Sequence, residues 1–205
     1  MKKKCVIFDL DGVLINSVDN MEIAWSKVCR MYNLSHDFKV YFNHIGKPFK
    51  EILTDIGIHS KQEQIMNSYK YFSIKHFNKI KIYPDVTKVL KFLKKKQIKI
   101  GIVTSKDYTR TRKIISNFNL NIDLHISPNK KLNGKPSPDT LLFAINKMKF
   151  KKKDCVYVGD TKVDYLTAKR AKIDFIFVKY GYYKEKLNCK NKINKFLDIK
   201  KIINV

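Results

Sequence analysis

The sequence predicts an α/β fold: a doubly wound, Rossmann-like parallel sheet with a helical cap subdomain inserted into it. Three observations carry this expectation. Short apolar runs of strand length alternate with longer segments of helical periodicity, as in a parallel sheet covered by helices on both faces. One stretch, from about residue 17 to about 82, breaks the alternation and shows helical patterns alone. A chain of 205 residues, 44% of them hydrophobic, has material for one core domain with an insertion.

The first strand is expected at Lys4–Phe8, where Cys5-Val6-Ile7-Phe8 forms a continuous apolar run. The insertion follows, with helical stretches around Met21–Tyr32, Phe49–Ile56 and Glu63–Phe77. Its aromatic residues Trp25, Tyr69, Tyr71, Phe72 and Phe77 recur near helical spacing and are expected to pack the helices together. Tyr83-Pro84-Asp85 marks the return to the core, which gives a core of residues 1–16 and 83–205 and a cap of 17–82. A helix over Asp85–Lys96 places Val86, Val89, Leu90 and Leu93 on one face. A strand at Lys99–Val103 leads to a helix over Asp107–Phe118, with Asp107 as its N-cap. The remaining strands are expected at Asp123–Ile126, Asp154–Val158 and Asp174–Val178. A helix over Ser137–Met148 starts from Ser137 as N-cap, and Asp198–Val205 closes the chain as a short helix.

Charge and cysteine content narrow the function classes. The formal net charge is +25, but only four of the 43 cations are arginines (Arg30, Arg110, Arg112 and Arg170). Nucleic-acid readers favour arginine for bidentate contacts. Lysine, asparagine and isoleucine, all with A/T-rich codons, dominate the composition, so the excess reads as a solvated lysine coat. Such a coat still helps an anionic small molecule to arrive. Cys5, Cys29, Cys155 and Cys189 show neither a C-x-x-C pair nor zinc-ligand spacing, and read as structural thiols. No apolar run reaches the ~18 residues of a membrane span. The basic start gives way after four apolar residues to Asp9 and Asp11, so no secretory signal is expected and the protein is expected in the cytoplasm.

Four clusters of polar residues stand out, three where strands end and one just ahead of a helix. Phe8-Asp9-Leu10-Asp11-Gly12 places two carboxylates on one side of the first strand's exit. Gly12 then allows a tight turn and close approach of its N–H to a ligand. Two neighbouring carboxylates need a cation between them or a shared proton. The second strand runs into Thr104-Ser105-Lys106, which offers hydroxyls and loop N–H groups. Gly134-Lys135-Pro136 sets a lysine just ahead of a helix, and Gly159-Asp160-Thr161-Lys162-Val163-Asp164 adds two carboxylates four apart. A doubly wound sheet brings all four clusters to one rim, where ligands of such sheets bind. Oxygen-only ligands select a hard cation such as Mg2+. Thr104 and Lys135 suit an anionic phosphoryl group.

With these four motifs in order between residues 8 and 164, the sequence resembles the haloacid dehalogenase superfamily in its phosphatase branch. The resemblance implies that Asp9 is the nucleophile and Asp11 the general acid/base. It implies that Thr104 and Lys135 hold the phosphoryl group, beside which Ser105 and Gly12 are further candidates for phosphate binding. Mg2+ would take Asp9, the Asp11 carbonyl and Asp160, with Asp164 as ligand or support. The helical insertion resembles the family's type-1 cap. Its turn His44-Ile45-Gly46-Lys47-Pro48-Phe49 resembles the specificity loop of phosphoglycolate-phosphatase-like members, where Gly46 and Lys47 would meet the substrate. Members similar to beta-phosphoglucomutase carry a histidine in the first cap helix, where this chain has Met21; phosphonatase-like members lack the second aspartate, here Asp11. The family's usual Asp-Ser after the first motif is Asn16-Ser17 here. The implied activity is hydrolysis of a small phosphorylated metabolite, phosphoglycolate or a sugar phosphate, by a monomer or homodimer with no membrane partner. A phosphosugar mutase and a polynucleotide 3′-phosphatase are the alternatives; scarce arginine and an obstructing cap set nucleic acid below a metabolite.

Overall fold

A computed structural model of the chain describes residues 2–129, 131–183 and 187–203. At its centre lies β1 (Cys5–Phe8), buried on both faces, which is why its residues are apolar without alternation. It pairs with β4 (Lys99–Val103) on one side and β6 (Cys155–Gly159) on the other. With β5 (Leu124–Ile126), β7 (Asp174–Val178) and β8 (Asn191–Ile193) the order is β5-β4-β1-β6-β7-β8, and each of these pairings is parallel. The chain runs from β1 outward to β4 and β5, then crosses back to β6. The rim beyond β1, β4 and β6 is therefore a switch point, where loops diverge and leave a crevice.

Alternate residues of β1 serve different layers, as strand geometry requires. Val6 and Phe8 join a core cluster with Val89 and Leu93 of α5 (Val86–Lys95), Ile114 of α6 (Tyr108–Asn117) and Ile199 of α9 (Ile199–Ile203). Cys5 and Ile7 join the opposite cluster, with Leu141 and Ile145 of α7 (Asp139–Lys147) and Ala168 of α8 (Lys162–Ala171). Cys5 and Cys155 stand side by side in the register, buried and unbonded, as structural thiols.

A third cluster belongs to the insertion, built of α1 (Val18–Tyr32), α2 (Phe38–Phe42), α3 (Phe49–Asp55) and α4 (Gln62–Lys75). Trp25 stacks on Tyr41 at 4.9 Å between ring centroids, and Tyr41 meets Phe49 and Tyr69. Asn20 ties α1 to the end of α4 by donating to the Ser73 and His76 carbonyls at 2.8 and 2.9 Å. The insertion leaves and rejoins the core through a short antiparallel pair, β2 (Ile15–Asn16) with β3 (Lys81–Ile82).

Several expectations need correction. The stretch expected to be helical throughout ends in β3, because a two-residue strand offers no window in which alternation can show. Tyr71 is exposed rather than packed, and Phe77 packs against the sheet's cluster rather than among the insertion's helices. Ser137 does not cap α7: the helix starts after Pro138, and Ser137 Oγ accepts from the Asp139 N–H at 3.4 Å. Asp107 does cap α6, accepting from the Arg110 N–H at 3.0 Å. Helices α2 and α8 and strand β8 were not expected. The closing helix covers Ile199–Ile203, and the last two positions expected in it, Asn204 and Val205, lie outside the described residues.

Candidate active site

Because β1 ends at Phe8, Asp9 and Asp11 stand at the C-terminal rim of the central strand. The Asp9 N–H still donates to Val158 at 2.8 Å, which holds the residue in line with β6. The chain then folds back tightly: the Leu10 carbonyl accepts from Leu14 and Ile15, and Gly12 adopts a left-handed φ of 81°. The Gly12 N–H is not offered to a ligand as expected, because it donates to the Ile15 carbonyl at 2.8 Å. The glycine is needed for a different reason: a Cβ there would fall inside the Asp160 carboxylate.

Lys135 reaches the rim from the loop before α7 and is only 1% exposed. Its ammonium lies 2.7 Å from Asp9 Oδ1 and 2.6 Å from Asp164 Oδ1. Burial works against its charge, but the two carboxylates outweigh burial and raise its pKa. Burial pushes Asp9 up to about 7, against the lowering pull of Lys135. Asp11 accepts from Ser17 Oγ and lies 3.2 Å from Lys106 Nζ. Thr104, buried at the end of β4, accepts the Lys106 N–H at 3.2 Å. Ser105 turns outward from this group and donates to the Gly46 carbonyl of the insertion at 2.6 Å.

Asp160 and Asp164 have different surroundings. Thr161 caps α8, and Asp164 Oδ2 accepts both the Thr161 N–H at 3.1 Å and its hydroxyl at 2.6 Å. Asp164 Oδ1 takes Lys135 and the Tyr157 hydroxyl at 2.9 Å, so both of its oxygens are engaged. Asp160 Oδ2 accepts the Tyr182 N–H at 2.6 Å, while Oδ1 is buried with no hydrogen-bond partner among the described residues. Burial, then Asp164 and Asp9, push the Asp160 carboxyl well above the ordinary range. Oxygens of Asp9, Asp160 and Asp164 lie within 4.8 Å of one another. An orphaned buried oxygen, an all-carboxylate donor set and one lysine among three acids fit a divalent hard cation such as Mg2+. Gly12 and Gly181 both press on Asp160, and a Cβ at either would displace it.

A sequence profile of the haloacid dehalogenase-like hydrolases matches residues 6–178, most of the chain. The chain belongs to that family. A Clostridium perfringens protein that carries the PpaX name is 31% identical over 182 residues, covering 86% of this chain and 84% of its own. A phosphoglycolate phosphatase of Colwellia psychrerythraea is 26% identical over 202 residues, covering 91% and 89%. The crystal structure of a hydrolase from Pseudomonas syringae superposes with a TM-score of 0.87 at 22% identity over 100% of this chain and 98% of its own, which speaks for the fold.

In this haloacid dehalogenase-like hydrolase the rim residues face a cavity of about 50 Å³ bordered by the insertion. Asp9, Asp11, Thr104, Ser105 and Lys135 line its core side; Met21, Ile45, Gly46, Lys47, Phe49 and Ile52 line its insertion side. Lys47 is also held by Asp55 at 2.6 Å. Two lining cations, Lys106 and Arg110, received no role in the sequence reading. Lys106 directly follows Thr104-Ser105 and could have been noticed. Nothing local marks Arg110 or Tyr182, which reach the site only through the fold.

Proposed function

We propose that this hydrolase is a Mg2+-dependent phosphatase that acts on a small phosphorylated metabolite through an aspartyl-phosphate on Asp9. One observation carries the reading: a buried carboxylate, Asp9, lies 2.7 Å from the Lys135 ammonium and lines the same cavity as a second carboxylate, Asp11. An Asp9 oxygen attacks phosphorus in line, the bond to the ester oxygen breaks, and its electron pair stays on that oxygen. Asp11 gives the leaving oxygen a proton, then takes one from the water that attacks phosphorus and frees Asp9 and inorganic phosphate. Lys135 offsets the charge on the phosphoryl oxygens and the Thr104 hydroxyl donates to them. The side chains of Asp9 and Asp160 and the Asp11 carbonyl would hold Mg2+, and Asp164 would orient Lys135. Bound there, the cation supplies charge neutralisation at the phosphoryl oxygens.

Residues 17–82 serve as the cap in this reading, over a core of 1–16 and 83–205. The loop of Gly46 and Lys47 closes over the leaving group and excludes water. The phosphoglycolate phosphatase name of the Colwellia relative supports a small ester as substrate. A mutase would use a base in the first cap helix, and the residue lining the cavity there is Met21. A polynucleotide 3′-phosphatase would need an open groove where Ile45, Phe49 and Ile52 form a roof.

A panel of phosphate esters assayed with Mg2+ and with chelator tests the proposal. Phosphate release should need Mg2+ and should fall to background in Asp9→Asn. Release that survives this substitution overturns the mechanism, and release confined to oligonucleotide ends overturns the substrate class.

A further inference from the structure

We propose that Lys106 and Arg110 form a subsite for a second anion, a carboxylate or phosphoryl group carried by the substrate's leaving group. The inference deepens the phosphatase reading and rests on it. Both residues follow β4: the turn after Thr104 and the Asp107 cap of α6 direct them inward. The Lys106 side chain is 5% exposed and that of Arg110 is 11% exposed. Burying an ammonium is costly unless it is paired. Lys106 carries three donors, and Asp11 at 3.2 Å is the carboxylate found against it among the described residues. Arg110 spends its Nε–H on Asp107 and lies 5.1 Å over the ring of Tyr69 in the cap, with further donors on its planar fork.

The cavity is thereby divided by charge. Lys135 stands at Asp9, where phosphorus must sit, while Lys106 stands at Asp11, where the leaving oxygen must sit. A neutral leaving group would place no charge against Lys106 and Arg110. Met21, Ile45, Phe49 and Ile52 face the same cavity beside the hydroxyls of Tyr41, Tyr69 and Tyr182, so Lys106 and Arg110 are the cations of its lining that stand on the leaving-group side. The partly open cavity, of about 50 Å³, has room for only a few water-sized groups, so the second anion lies close to the ester oxygen. A short phosphorylated acid meets both demands, as does a phosphoanhydride.

The test is a binding measurement on the full chain with Mg2+, by calorimetry, using three non-hydrolysable phosphonates. 3-Phosphonopropionate carries a carboxylate, methylenebisphosphonate a second phosphoryl group, and propylphosphonate no second charge. One or both dianionic-ended ligands should bind roughly tenfold to a hundredfold tighter than propylphosphonate, and which of them does so identifies the anion. Lys106→Met and Arg110→Met should each shrink that ratio to about threefold or less, whereas Lys106→Arg should keep most of it. Thermal melting checks that each variant is folded, and either methionine variant alone suffices for the comparison. Equal affinity for all three ligands in the parent protein, or a ratio that survives both methionine substitutions, overturns the subsite. If the ratio behaves as expected while no ester is hydrolysed, the subsite stands and the phosphatase reading fails.

Discussion

Asp160 is shaped by what is missing around it. Gly12, at φ 81°, and Gly181 leave space that its carboxylate fills, and its Oδ1 has no hydrogen-bond partner among the described residues. Gly12→Ala should therefore act through the metal. We expect Mg2+ activation of phosphate release to shift to about tenfold to a hundredfold higher concentration, the usual effect of disturbing a ligand's support. A Mg2+ titration reads this, and an unchanged midpoint would separate Gly12 from the cation. Lys135 is the opposite case, a cation between two buried acids. Lys135→Met should cost about 3 kcal/mol in urea unfolding, since Asp9 and Asp164 would be left without their buried partner. A much smaller loss would show that protons replace the lysine readily. Asp9, Asp11 and Asp160 could be read from sequence because each follows a strand-like run at a tight turn, and Lys135 because it stands beside a proline just ahead of a helix. That Asp164 holds Lys135 could not, since the two lie 29 residues apart; its bonds to Thr161 are the local capping box of α8.

At the scale of elements, the edge of the sheet is held by one carboxylate. Just before β5, Asp123 accepts the Ile100 N–H at 2.8 Å and pairs with Lys99 at 3.0 Å and with Lys94. Burial opposes its charge, but hydrogen bonds from Lys94, Ile100 and Lys99 hold its pKa below the ordinary 3.8. A depressed carboxyl contributes stability above its unfolded pKa and loses it as pH falls through the folded value. Asp123→Asn should thus cost about 1–2 kcal/mol near neutral pH, and the gap between variant and parent should close below pH 3.8. Chemical unfolding at several pH values measures this; a gap independent of pH would assign the effect to the amide instead. The central strands were legible because burial on both faces makes them continuous apolar runs. Helix α8, with Thr167, Ala168 and Ala171 buried beside exposed lysines, carries too few large apolar residues to announce a face. Strand β8 is a three-residue edge whose middle residue is an exposed lysine.

Across the whole molecule, a net charge of +25 surrounds a site whose floor is acidic. The Debye length is about 10 Å at 0.1 M salt, so the lysine coat draws an anionic ester at low salt and is screened at high salt. We expect kcat/KM for such an ester to fall roughly threefold to tenfold between about 20 and 200 mM salt, at constant Mg2+. Steady-state kinetics across that range tests this, and a flat profile would leave the coat without part in substrate arrival. The alternation of strands and helices made the architecture readable. How the insertion meets the rim was not, because contacts such as Ser105 to Gly46 join residues far apart in sequence.

The β2–β3 pairing fixes where the insertion is attached. Where the insertion leaves and rejoins the core, Asn16 stands opposite Lys81 and Ile15 opposite Ile82. The entire segment between them is therefore strung across a gap of about 5 Å, one strand spacing. Such a segment can be exchanged without rethreading the sheet, provided that Ser17, which donates to Asp11, is kept. One acidic floor can in this way carry different roofs.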